Sequence, residues 1–322
     1  IEGFGEYGFP ESHAASFALL VYVSCWLKRH EPACFLAAML NSQPLGFYGP
    51  AQLVQDARRH GVEVRAVDVL QSAWDCSLEQ PQEQHPDPNG WALQTQPAIR
   101  LGLRMVSGLQ KEVAERICAA RENGPFTSTQ DLALRCALDA GDLKALASAD
   151  ALISLSGHRR QQVWDASALR PAPALLQGVP IEEDVLELPP AEEGEEVTFD
   201  YAATGLTLRS HPLQLLREQL SKQKLLTAAQ MRDYPSGRLV RACGIVTARQ
   251  QPGTAKGVVF VTLEDETGSV NIIVWKAVKE QFRDAVYRAR LMAVYGVWQR
   301  DEATGGQVRH VIAKRVVDMT HL

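Results

Sequence analysis

No two cysteines are spaced C-x-x-C; the six, Cys25, Cys34, Cys76, Cys118, Cys136 and Cys243, are scattered over 322 residues. That scatter argues against a zinc site and against a disulfide framework, and it fits a reducing compartment. Nor does any apolar run reach the roughly 20 residues of a membrane helix. The longest, Ala14 to Leu27, ends in Lys28 and Arg29. A secretion signal is also missing. Three catalytic signatures are absent too: the G-x-x-x-x-G-K-[ST] phosphate loop, the zinc-binding H-E-x-x-H helix and the G-x-S-x-G serine elbow. These absences predict a cytoplasmic chain, off the membrane, with no catalytic centre of its own. Because it begins Ile1-Glu2-Gly3, almost inside a structural element, the chain reads as a piece of something longer.

What is present is unevenly distributed. A net charge of −5 would argue against a nucleic-acid partner, but it averages over two opposed segments. Residues 171–200 hold nine carboxylates, from Glu182 to Asp200, and no Lys or Arg, which together with Pro reads as a loosely packed connection. Residues 237–322 carry 13 Lys and Arg against 8 Asp and Glu, so the basic residues gather where a nucleic acid could use them.

Period and punctuation place the elements. Ser12 is a fitting N-cap for the first apolar helix, Pro32 opens a second, and Pro50 to His60 forms a third that ends before Gly61. "VEVRAVDV" alternates as a strand, and Gln80 to Gly90 is a loop. In "LRMVSGLQKEVAERICAAR", Val106, Leu109, Val113 and Ile117 keep a helical period interrupted by a Ser-Gly turn. This is the outline of a helix-hairpin-helix unit, whose turn and helix N-terminus grip a phosphate without reading a base. Arg104, Ser107, Gly108, Gln110 and Lys111 are its candidate DNA contacts, although Gln110 stands where a strict hairpin has a second glycine, and plain helix packing explains the segment about as well. "LKALASADALISLSGHRR" would close a second unit.

From Gly237 the period becomes two. Five strands, with a helix from Lys276 to Asp284 after the third, predict a Greek-key barrel of the OB type. Phe260, Trp275, Tyr295 and Trp298 are candidate stacking platforms, though in a small barrel most aromatics point inward. Arg241, Arg249, Lys256, Arg300 and Arg309 are its candidate DNA-contacting cations. Glu264, Asp265 and Glu266 form a tight acidic triplet that reads as solvated turn carboxylates rather than a metal site. Ser12 and His13 sit at a helix mouth beside Gly8, where either a phosphate contact or plain capping accounts for them.

With these motifs in view, "YGFPESHAASFALLVYVSCWLKRHEPACFLAAMLNSQPLGFYGP" resembles the fingers region of bacterial C-family DNA polymerases, the family of the polymerase III alpha subunit. Pro10-Glu11 stands where replicative members have Asn-Lys, and with "NSQPLGFY" this resembles the error-prone, damage-inducible branch. "IRLGLRMVSGLQ", "GPFTSTQDL", "GLTLRSHPL" and "FVTLEDETGSVNIIVW" extend the likeness over nearly the whole chain, the last being shared with some aminoacyl-tRNA synthetases.

The resemblance implies a multidomain α plus β architecture: fingers over 1–96, a tandem helix-hairpin-helix module over 97–170, an acidic Pro-rich linker and helix over 171–236, and an OB domain over 237–322. It implies a DNA-directed nucleotidyltransferase used in translesion synthesis and DNA repair. Its partners would be primer-template DNA, single-stranded template and incoming dNTP. Gly8, Pro10, Glu11, Ser12 and His13 would lie beside the nucleotide. Mg2+ would be held by palm carboxylates that precede the fingers in the family, so this stretch alone is expected to be inactive. With no clamp-binding pentapeptide between Arg170 and Arg238, contact with the sliding clamp would pass through an accessory mutagenesis protein. The alternative is a non-enzymatic DNA-binding or protein-docking subunit built from the same modules.

Overall fold

The computed structural model describes residues 11–46, 48–82, 96–169, 186–301 and 305–322, the side chains of Glu11 and Ser12 excepted. They divide at residue 209 into two bodies.

The first body starts with α1 (Glu11–His30), which already includes Ser12, so Ser12 stands inside the helix and not before it as a cap. Much of α1's apolar surface, including Phe17, Leu20, Tyr22 and Trp26, is exposed. α2 (Pro32–Asn41) follows at once, because a proline costs nothing at a first helical position that has no N–H to pair. α3 (Pro50–Arg59) buries Val54 and Ala57. The alternating stretch after it yields only β1 (Val64–Arg65), shorter than its period predicts. The chain leaves the sheet because the Asp68 and Val69 amides bond the Ser72 hydroxyl and the Ala151 carbonyl. β1 pairs in parallel with β3 (Ala98–Arg100), whose other edge pairs antiparallel with β2 (Ser77–Glu79). Glu79 joins this small sheet by accepting from Arg65 and Arg100.

A short 3-10 turn, Leu103–Met105, leads to α4 (Lys111–Glu122). α5 (Thr129–Cys136) is capped by Ser128, and α6 (Ala140–Ser148) by a reciprocal box between Asp139 and Asp142. α7 (Ile153–Ser156), α8 (Arg159–Ala168) and α9 (Glu193–Thr204) complete the body. One apolar core joins Leu36, Ile99, Ile117, Leu146 and Leu206, drawing on residues before and after position 96.

α9 lies in the stretch that composition marks as a loose connection. It is ordered because Glu196 and Asp200 turn into the body, where both pair with the buried Arg159.

The second body opens with α10 (Pro212–Lys222) and α11 (Ala228–Arg232). Then come β4 (Leu239–Gln250), β5 (Val259–Asp265), β6 (Gly268–Val274), α12 (Lys276–Gln281), α13 (Arg283–Arg288), β7 (Leu291–Arg300) and β8 (Arg309–Asp318). The helix predicted after the third strand is therefore two, divided at Phe282. The strands close in the order β4-β5-β6-β8-β7, with β6 and β8 parallel and every other pair antiparallel. This is the five-stranded OB barrel that the period-two pattern predicts. Its interior takes Val261, Ile272, Met292, Val294, Trp298 and Val311. Gly296 is obligatory: a β-carbon there would strike the Ile312 carbonyl and come within 2.6 Å of Val311 Cγ1. α10 covers one outer wall, packing Leu213 and Leu220 over Cys243 and Ala293.

Candidate nucleic-acid interface

Each body offers one surface. In the first, Val106 to Lys111 makes the hairpin turn: the Leu109 amide bonds back to the Val106 carbonyl, and Gly108 takes φ +83°, a conformation that disfavours side chains. Ser107, Gly108, Gln110 and Lys111 are all exposed, while Leu109 anchors the turn in the core. No side chain caps the N-terminus of α4, so its first-turn N–H groups keep their attraction for an anion. The turn borders a groove of about 840 Å³ that also touches Lys144, Arg160 and Phe199.

The second predicted hairpin forms but is closed. Gly157, at φ +72°, precedes α8, whose N-terminus is capped by the His158 ring: Nδ1 accepts from the Gln161 amide, and Nε2 lies 2.8 Å from the Leu188 carbonyl. Arg159, the first residue of α8, is 3% exposed. It lies 2.8 Å from Glu196, pairs closely with Asp200 and is 4.0 Å from Asp150, while Arg209 reaches Asp150 at 2.9 Å and Glu196 at 3.2 Å. Two cations thus meet three buried or half-buried carboxylates. Burial pushes Asp150 and Glu196 above the usual carboxylate range against the pull of both arginines.

On the barrel, a slot of about 380 Å³ between the β4–β5 connection and the β5–β6 seam is lined by Lys256, Val258, Phe260, Ile273, Trp275 and Lys276. Trp275 is 52% exposed, and Phe260 is also open to solvent. Two rings between two lysines match what a single strand needs, a π face for a base and cations for its phosphates.

Other expected contacts have different work. Arg104 donates to the Asn41 carbonyl and pairs with Asp75 at 2.7 Å. Arg249 donates to the Val286 and Ala289 carbonyls at the end of α13, and burial pushes its pKa down. Trp298 lies inside the barrel. Arg300 and Arg309 face each other across β7 and β8, with Arg309 donating to the Gly306 carbonyl. Arg241 lies over the Tyr295 ring. Lys111 is exposed, 3.4 Å from Glu115. Gly8 and Pro10 lie outside the described residues, as do the side chains of Glu11 and Ser12. His13 is exposed, its ring 4.4 Å from that of Phe17.

The acidic triplet is a turn, as its sequence predicts, but not a solvated one. Asp265 accepts from the amides of Ala228, Thr267 and Gly268, and Glu266 takes two hydrogen bonds from Arg217, at 2.6 and 2.8 Å. These carboxylates are spent on fastening α10 and α11 to the β5–β6 turn, so they do not suit a catalytic metal. Among the described residues no group of three or more His, Cys, Asp or Glu side chains could hold a metal ion. None of the described helices is long and apolar enough to cross a membrane.

Comparison with known proteins gives each body a family model. The helix-hairpin-helix motif model matches residues 61–162, and the OB-fold nucleic acid binding domain model matches 240–317. An error-prone DNA polymerase of Burkholderia pseudomallei is 54% identical over 324 residues, covering 100% of this chain and 29% of the relative. Those of Azoarcus sp. and Ralstonia nicotianae are 53% and 52% identical, covering 99% and 100% of this chain and 29% of each relative. The chain is homologous from end to end to error-prone DNA polymerases. It spans about 29% of their length. Among solved structures, asparaginyl-tRNA synthetase from Pyrococcus horikoshii is 26% identical, covering 30% of this chain and 23% of its own, with a TM-score of 0.26.

Neither the Arg159 cluster nor the Arg217–Glu266 clasp is visible in local sequence. Their partners lie 37 and 49 residues apart, and only the run of unneutralised acid in 171–200 hints that some of it is paired elsewhere.

Proposed function

We propose that this chain is the nucleotide-facing and DNA-holding part of an error-prone, DNA-directed DNA polymerase that works in translesion synthesis and DNA repair in the cytoplasm. The observation that carries this reading is the identity of 52–54% to error-prone DNA polymerases over 100% of the chain. The hairpin turn at Gly108 holds duplex backbone through α4, and the Phe260–Trp275 slot takes single-stranded template. The stretch from Gly8 to His13 faces the incoming dNTP, with Mg2+ bound by carboxylates outside this chain. Residues 1–96 act as fingers, 97–170 as the hairpin module, 171–236 as the connection and 237–322 as the OB domain. An accessory protein links the polymerase to the sliding clamp.

Pro10-Glu11 puts a proline and a carboxylate where replicative members of the family carry an amide and a cation, which loosens the hold on the incoming nucleotide. Primer extension with the full-length polymerase tests the nucleotide role. His13→Ala raises KM for dNTP on this reading, whereas unchanged incorporation kinetics would assign this stretch a purely structural part. Restoring Asn-Lys at positions 10 and 11 lowers misincorporation. Unaltered error rates would remove the fidelity argument.

A further inference from the structure

On the barrel wall opposite the β5–β6 seam, three side chains from adjacent strands form a ladder. β7 is separated from β5 by β4 and from β6 by β8, and its Tyr295 is paired in register with Arg241 of β4 and Arg315 of β8. Both guanidiniums lie over the Tyr295 ring, 5.3 and 5.6 Å from its centroid, in cation–π contact. Both arginines are exposed, and no ion pair joins either to a carboxylate among the described residues. Arg241 is steadied by donating to the Gln223 carbonyl at 3.2 Å. The bulge between Tyr295 and Gly296 leaves a further exposed cation, Lys314, beside Arg315. One step along the strands the same wall carries an apolar row, Leu239–Val297–Ile312, again paired in register, and Leu239 is 69% exposed.

We propose that this wall docks an extended protein segment in which acidic and aliphatic side chains alternate. The ladder supplies two preorganised cations that no carboxylate among the described residues neutralises, so it offers complementary charge to an acidic partner. Side chains in an extended segment fall into two parallel rows, matching a cationic row beside an apolar one. A nucleic acid suits the wall less well: guanidiniums already cover the one aromatic ring, so no base can stack, and an open aliphatic row offers nothing to a phosphate backbone. The wall is distinct from the Phe260–Trp275 slot, so one barrel holds template on one side and a protein on the other.

The test uses the 322-residue chain and four fluorescent probes: an eight-residue peptide alternating Leu and Glu, its Leu/Gln and Leu/Lys counterparts, and a single-stranded oligothymidylate. The Leu/Glu peptide binds best, and more weakly as salt rises. Arg241→Glu with Arg315→Glu weakens it at least tenfold, and Arg241→Gln with Arg315→Gln does so less, with melting temperature unchanged in both. Trp275→Ala leaves peptide binding intact but weakens oligothymidylate. Equal affinity for the Leu/Glu and Leu/Gln peptides overturns the proposal. So does a loss of oligothymidylate binding in the charge-reversed variant as large as the loss of peptide, which would make the wall a nucleic-acid surface.

Discussion

Arg159 and Glu196 meet at 2.8 Å, although 37 residues separate them and Glu196 comes from the most acidic stretch of the chain. The pair is nearly dry, with 3% and 7% of the side chains exposed. It fastens α9 over the N-terminus of α8, which is why the second hairpin is closed while the first stays open. Removing one member of a buried ion pair strands the other, at a cost of about 3–5 kcal/mol. Arg159→Met is therefore expected to lower unfolding free energy by that order in chemical denaturation of the chain, with α9 losing amide protection first.

Acid acts on the two clasps with opposite sign. Burial, only partly offset by Arg159 and Arg209, holds Asp150 and Glu196 above their ordinary values, so the folded chain keeps protons there that the unfolded chain releases. Stability from this cluster grows as pH falls through the raised values and is lost as pH rises through them. Burial alone would raise Glu266 too, but the hydrogen bonds from Arg217 outweigh it and hold that carboxyl low. The clasp of α10 on the β5–β6 turn is thus strongest above the ordinary glutamate value of about 4.3 and is lost as pH falls through the lowered folded value. Amide exchange corrected for intrinsic rate, followed from pH 7 downward, should show α9 gaining protection before the turn loses it.

Gly296→Ala tests the barrel's closure. The new methyl would have to displace the Ile312 carbonyl, which belongs to the β7–β8 ladder, so the strands must part. Overpacking of this kind costs about 1–3 kcal/mol. Thermal melting of the chain should report a fall of that order, while substitution at Gly305, where a side chain meets open space, should respond only to its positive φ.

Trp275 and Arg249 separate binding from folding. Trp275→Ala should weaken oligothymidylate binding by about 1–3 kcal/mol, the usual worth of one stacked base, without lowering melting temperature. Arg249→Ala should do the reverse, because its guanidinium closes the C-terminus of α13 and not a DNA groove.

Short-range patterns carried much of the fold into the sequence. Alternation from Gly237 onward shows the barrel, since each strand needs only its own inward set, and the Ser-Gly turn at Gly108 shows the first hairpin. Pairings over long separations stay hidden: nothing near Arg159 announces Glu196, and nothing near Asp265 announces the Ala228 amide that it accepts from. The cations were the least legible. Arg241, Arg249 and Lys256 look alike in sequence, yet they stack on a tyrosine, cap a helix and line a slot. What an arginine does depends on which carbonyls and rings the fold brings beside it.

The most direct measurement is the affinity of the chain for primer-template DNA as a function of salt. If the hairpin turn and the barrel slot hold phosphates as argued, log K falls linearly with log salt, and about four contacts give a loss of about a hundredfold between 50 and 200 mM. Gly108→Val and Lys256→Glu should each reduce the affinity. Binding that is absent at 50 mM, or present but indifferent to salt, would contradict the assignment of these surfaces to DNA.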